Sequence, residues 1–191
     1  MDDQHGVLVL VRHGETAWSL SGQHTGATDI PLTEGGRVEA RRLGADLADR
    51  HFALVLSSPM SRALETCRLA GFDSRVEVTD DLCEWDYGDY EGRTTVDIRT
   101  ERPDWTLWSD GVPEGETAAD VGARADRVIR RSQRVGGDAL LFGHGHALRV
   151  LAARWLELPP ADGRLFALSP ATVSVLGYER EIRVIRKWNA S

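Results

Sequence analysis

Four basic side chains in this chain of 191 residues lie a few residues at most beyond the ends of apolar runs. Arg12 and His13 come after Gly6 to Val11, Arg62 comes five residues after Ser57, and His144 follows the run Asp138 to Phe142. If these runs are strands of an open α/β sheet, their carboxyl ends share one rim, where such sheets hold their ligands. Two arginines and two histidines on one rim repel each other, and an anion relieves that repulsion. A phosphate fits best. The planar guanidinium fork bonds two phosphate oxygens at once and stays charged at working pH. Neutral imidazole is a competent nucleophile toward phosphorus. One histidine can therefore attack while the other stabilises the transferring phosphoryl group. The departing alkoxide needs a proton, and Glu84, flanked by Trp85 and Tyr87, is the acid in the right kind of surroundings. Asp86, Asp89 and Glu91 are the alternatives nearby.

The elements that must position these residues are legible in the periodicity. Gly6–Val11, Phe52–Leu56 and Asp138–Phe142 are continuously apolar and read as strands buried on both faces. Arg75–Thr79 alternates as a short edge strand, and Thr172–Gly177 and Glu181–Lys187 close the chain as two further strands. Thr33 can cap a helix running to about Arg50, with Ala40, Leu43, Gly44, Leu47 and Ala48 on one face. Helices are also expected over Met60–Ala70, from the Thr117/Asp120 capping signal to just before Gly136, and over Leu148–Leu156, stopped by Pro159-Pro160. Alternating strands and helices predict a three-layer α/β/α sandwich with a mostly parallel central sheet. One domain covers 1–191, with a Trp-, Pro- and Gly-rich, lid-like insertion at about 93–116 that holds a short helix.

Bulk properties narrow the partners. A net charge of −7 argues against nucleic acid or an anionic membrane surface, and a small phosphorylated metabolite is the expected partner. A homodimer is compatible with the sequence. No apolar run approaches the ~20 residues of a membrane span, and the Met1-Asp2-Asp3 start lacks the basic region of a signal peptide, so a cytoplasmic location is expected. The two cysteines, Cys67 and Cys83, suit neither a disulfide framework nor a thiolate zinc site. There is no H-E-x-x-H, and His144 and His146, two apart, would not share a helix face, so no metal is expected. No cofactor is expected either: Arg12, Arg62 and His144 provide the charge that Mg²⁺ provides elsewhere. Arg149 reads as part of a solvated helix face, with a reach to a second substrate phosphate as the alternative, and His5, His24 and His51 have no evident partner.

Four segments in order, LVRHGET at 10–16, SSPMSRA at 57–63, Glu84 to Gly92, and GHGH at 143–146, resemble the histidine phosphatase superfamily, also called phosphoglycerate-mutase-like. The resemblance implies an α/β sandwich, His13 as phosphoacceptor, Arg12, Arg62 and His144 as the phosphate pocket, and Glu84 as proton donor. Residues 21–33 and 144–149 look like a branch of small sugar-phosphate and acid phosphatases. By that similarity Thr16, Ser19, Gln23, Thr25, Gly26 and Gly145 line the substrate rim. Ser19 and His146 stand where mutases of the family usually carry Asn, and there is no room for a mutase-type insertion after Glu84. A phosphatase acting on a sugar phosphate or sugar bisphosphate is therefore expected. A mutase-type phosphotransferase and a non-catalytic phospho-ligand binding module are the alternatives.

Overall fold

The computed structural model describes residues 6–191, so His5 lies outside it. Six strands form one sheet: β1 (Leu8–Arg12), β2 (Leu54–Ser57), β3 (Glu77–Val78), β4 (Ala139–Gly143), β5 (Val173–Glu179) and β6 (Ile182–Ala190). Their spatial order is β3-β2-β4-β1-β5-β6. The first four are mutually parallel, with Leu8 and Leu54 both opposite Ala139. Only β5 runs against the rest, pairing antiparallel with β1 and with β6. The expected mostly parallel sheet is what forms, with β3 at its edge.

Seven α-helices accompany the sheet among the described residues: α1 (Ala17–Ser21), α2 (Glu34–Leu47), α3 (Ser61–Leu69), α4 (Thr95–Glu101), α5 (Leu107–Asp110), α6 (Ala118–Gln133) and α7 (Gly145–Trp155). Strand side chains alternate between two apolar clusters, as the period of two dictates. Leu8, Leu10, Leu54, Leu56 and Leu141 meet α6 and α7 on one face. Val9, Val11, Val55, Leu140 and Phe142 meet Leu43, Leu47 and Cys67 of α2 and α3 on the other. These are the three layers. Thr33 caps α2 by accepting from Gly36 N–H, and Thr117 and Asp120 form a reciprocal capping box on α6. Residues 93–116 hold two short helices, α4 and α5, and sink Ile98, Trp105 and Leu107 into the core.

Two differences from the sequence expectation matter at the rim. The helix expected from Leu148 begins at Gly145, with His144 as its N-cap. Hydrophobic periodicity could not see the first turn, because that turn faces a cavity. Helix α1 was hidden in a stretch of Gly, Ser and Thr. Its signal is the Thr16–Ser19 spacing, which forms a capping box.

Candidate active site

The carboxyl ends of β1, β2 and β4 carry the predicted residues together. The turn after β1 is pressed onto the first turn of α2: a Cβ on Gly36 would lie 2.3 Å from the Glu15 carbonyl oxygen, and one on Gly14 2.5 Å from that of Gly36. No other residue type permits so close an approach of two backbones. The approach fixes His13. Its ring is 5% exposed, and Nδ1 lies 2.7 Å from the Gly14 carbonyl oxygen. A carbonyl only accepts, so Nδ1 carries the proton and the lone pair sits on Nε2. Burial, then the charges of Arg12 and Arg62, lower the His13 pKa to about 3. The ring is thus neutral at neutral pH.

His144, fully buried, lies behind it, with ring centroids 5.1 Å apart. Arg62 Nε–H donates to His144 Nδ1 at 3.2 Å, so His144 carries its proton on Nε2, which donates to Ser58 Oγ at 2.7 Å. Burial and the neighbouring His13 and arginines hold its pKa well below the ordinary value. Arg62 is also fully buried. Its terminal nitrogens donate to the carbonyls of Thr25, Gly26 and Thr28, tying the 25–28 loop to α3.

Arg12, His13, Glu84 and Gly145 line one cavity of about 250 Å³, together with Thr16, Ser19, Gln23 and Thr25. Arg62 and His144 stand behind this wall rather than in it. Gly26 is also outside it: its N–H donates to Glu91 and its carbonyl accepts from Arg62. The Thr16 and Ser19 side chains are engaged with each other's backbone in the α1 cap, and Gln23 reaches Gly92 O and Ser21 Oγ. Arg12 donates to the Leu168 carbonyl, while its Nε is buried with no partner among the described residues. Gly145 lets the Arg12 guanidinium lie on the start of α7, since a Cβ there would stand 3.2 Å from its central carbon.

Among the described residues Glu84 is the only acid that lines this cavity. Its Oε1 accepts from the N–H groups of Trp85 and Ala147 and its Oε2 from that of His146, so the first turn of α7 holds the carboxyl in place. The other acids of the segment are used elsewhere. Glu91 accepts from Gly26 and Thr28, and Asp86 from Gly88.

The far wall consists of residues the sequence left unassigned or placed elsewhere. Tyr87 OH lies 2.7 Å from His146 Nδ1, and the His24 ring stacks against Tyr87 at 4.7 Å. Trp18, Thr95, Leu168 and Arg149 complete it. His24, for which no partner was evident, is 8% exposed and packs on Tyr87 and Trp105. Arg149 is no solvated helix residue: its guanidinium lies 4.6 Å from the centre of the Trp108 ring. Arg149 stands three residues after His146 on α7, so the two share a helix face, and both line the cavity. Burial lowers the pKa values of His24 and His146 and raises that of Tyr87, so this wall holds neutral rings.

Among the described residues no three His, Cys, Asp or Glu side chains gather as a metal site requires, and no helix is long and apolar enough to cross a membrane.

Comparison with known proteins gives this arrangement a family. An acid phosphatase of Mycobacterium tuberculosis is 43% identical over 180 residues, spanning 92% of this chain and 88% of its own. A sedoheptulose 1,7-bisphosphatase of Saccharomyces cerevisiae is 39% identical over 183 residues, spanning 78% of this chain and 67% of its own. The solved structure of an open reading frame product of Mycobacterium tuberculosis superposes with a TM-score of 0.92 at 40% identity, covering 97% of this chain and 98% of that one. The profile of the histidine phosphatase superfamily (branch 1) matches residues 8–191, and with that match along the described chain the protein belongs to this superfamily and is a histidine phosphatase.

Proposed function

We propose that the enzyme hydrolyses a small phosphomonoester, a sugar phosphate or sugar bisphosphate, through a phosphohistidine on His13. The observation that carries this reading is the state of the His13 ring: proton fixed on Nδ1 by the Gly14 carbonyl, pKa lowered to about 3, and the side chain in the cavity wall beside Arg12. Nε2 attacks phosphorus and the ester oxygen leaves with the bonding pair. Arg12 meets the phosphoryl oxygens, and its unpaired buried Nε–H is a donor that an anion's oxygen satisfies. Arg62 and His144 add positive charge and dipole from behind, without the reorganisation that water would need. Glu84 delivers the proton that the leaving oxygen requires and then, as a base, draws one from the water that attacks the phosphohistidine. Water takes the place of the departed alcohol, and inorganic phosphate is released.

Replacement of His13 by Ala tests the reading. Turnover of p-nitrophenyl phosphate should be abolished, because no neighbouring side chain offers an attacking nitrogen, while inorganic phosphate should still bind to the remaining arginines. Activity near that of the unaltered enzyme would remove His13 from the reaction.

A further inference from the structure

Glu84 has no regular element to hold it. Arg12 ends β1, His13 and His144 directly follow β1 and β4, and Arg62 stands in the first turn of α3, but residues 83–87 belong to no helix or strand. The backbone groups of such a segment still need partners. Two side chains from outside it provide them. Arg124 of α6, 13% exposed, donates from one terminal nitrogen to the carbonyls of Asp81 and Cys83 at 3.1 and 3.0 Å, and from the other to that of Glu84 at 3.3 Å. Its Nε and the second terminal nitrogen also grip the two carboxylate oxygens of Glu116, each at 2.8 Å. Glu116 in turn accepts the Asp86 N–H on Oε2 at 3.0 Å, while its backbone accepts from Trp85 Nε1 and donates to the Asp86 carbonyl. The pair thus holds the chain on both sides of Glu84. Arg127, one turn along α6, meets the Asp81 carboxylate in an outer ion pair that anchors the turn at 80–82 independently. Neither Arg124 nor Glu116 lines the cavity beside His13.

We propose that Arg124, with Glu116 as its counter-charge, is a positioning residue for the proton donor. It sets where the Glu84 backbone lies, and so whether the Glu84 carboxyl reaches both the N–H groups of α7 and the leaving oxygen. This rests on the reading of Glu84 as the general acid. A guanidinium is suited to the task because its planar fork meets two carboxylate oxygens on one edge while its remaining N–H groups serve three carbonyls. An ammonium, a single point of charge with three donors, cannot span them all. Proton transfer requires hydrogen-bond reach in the transition state, and a displacement of about 1 Å can cost about 10²-fold. Such a loss falls on esters whose leaving oxygen needs the proton, and spares those whose leaving group departs without it.

The test measures single-turnover phosphoenzyme formation from glycerol 3-phosphate, which expels a basic alkoxide, and from p-nitrophenyl phosphate, which expels a stable phenolate. Arg124→Lys should lower the first rate about 10- to 100-fold and the second by less than about threefold. In Glu84→Gln there is no acid left to place. Adding Arg124→Lys to it should therefore cost glycerol 3-phosphate less than about a further threefold, since the two residues act as one unit. Glu116→Gln, which keeps the size of the side chain, should spare the aryl ester in the same way, and it takes the place of Arg124→Lys if that variant does not fold. Equal losses on the two substrates, no loss on either, or a full additional loss on top of Glu84→Gln would overturn the proposal. The proton-donor reading fails separately: Glu84→Gln would then itself lose equally on both esters, and the role of Arg124 would fall with it.

Discussion

Glu84 shows how one residue's chemistry follows from where its neighbours place it. Three N–H donors fix its carboxyl at the first turn of α7, on the same cavity wall as His13. An alkyl phosphate expels a strongly basic alkoxide, so phosphoenzyme formation from it should fall by about 10²- to 10⁴-fold in Glu84→Gln. An aryl phosphate expels a stable phenolate, and single-turnover phosphoenzyme formation from p-nitrophenyl phosphate should be far less affected. Equal losses on both would make Glu84 a structural cap of α7. The sequence left four acids between 84 and 91 in competition, and only packing separated them, because Glu91 is drawn to the Gly26 and Thr28 N–H groups. His13, Arg12, Arg62 and His144 were legible because each ends or follows an apolar run. Tyr87 and His24 were not, and Arg149 was legible only as one of two alternatives, since no spacing reveals which side chains converge on a cavity from three separate segments.

At the scale of elements, the site depends on the turn after β1 lying flat on the start of α2. Gly36→Ala forces a Cβ against the Glu15 backbone, and neither backbone can move without the other. It should cost about 1–3 kcal/mol of stability by overpacking and lower kcat, since the turn also carries His13. Chemical denaturation together with steady-state kinetics checks this, and a Gly36→Ala enzyme of unchanged stability and rate would contradict it. The long elements were readable in advance. Thr33 and Thr117 cap α2 and α6 as their spacing predicts, and the strands alternate between two clusters. What periodicity missed were the first turn of α7 and all of α1, which turn polar faces to the cavity and so break the apolar pattern on which such readings depend.

For the whole molecule, the buried histidines couple the site to folding. The ordinary histidine pKa is 6.5, and that of His13 in the fold is lowered to about 3. Between those values the unfolded chain holds the extra proton, so stability is full above about pH 6.5 and falls as pH drops. His13 alone contributes up to about 1.4 kcal/mol per pH unit in that window. His24, His144 and His146 shift in the same direction. The thermal midpoint should fall between pH 7 and pH 5, above the range where most carboxylates titrate, and His13→Asn should flatten the slope. A midpoint constant over that range would show that these rings are not held neutral. The sandwich fold was legible because alternating strands and helices admit few arrangements, whereas the depth of the histidines is a property of the folded whole. The central claim is that phosphorus is bonded to His13 during turnover. Rapid quenching with a substrate carrying labelled phosphate, followed by proteolysis, should give a single labelled peptide containing His13, with a bond stable to alkali and lost in acid. No label on protein during steady turnover, or label on a residue other than His13, would contradict the account.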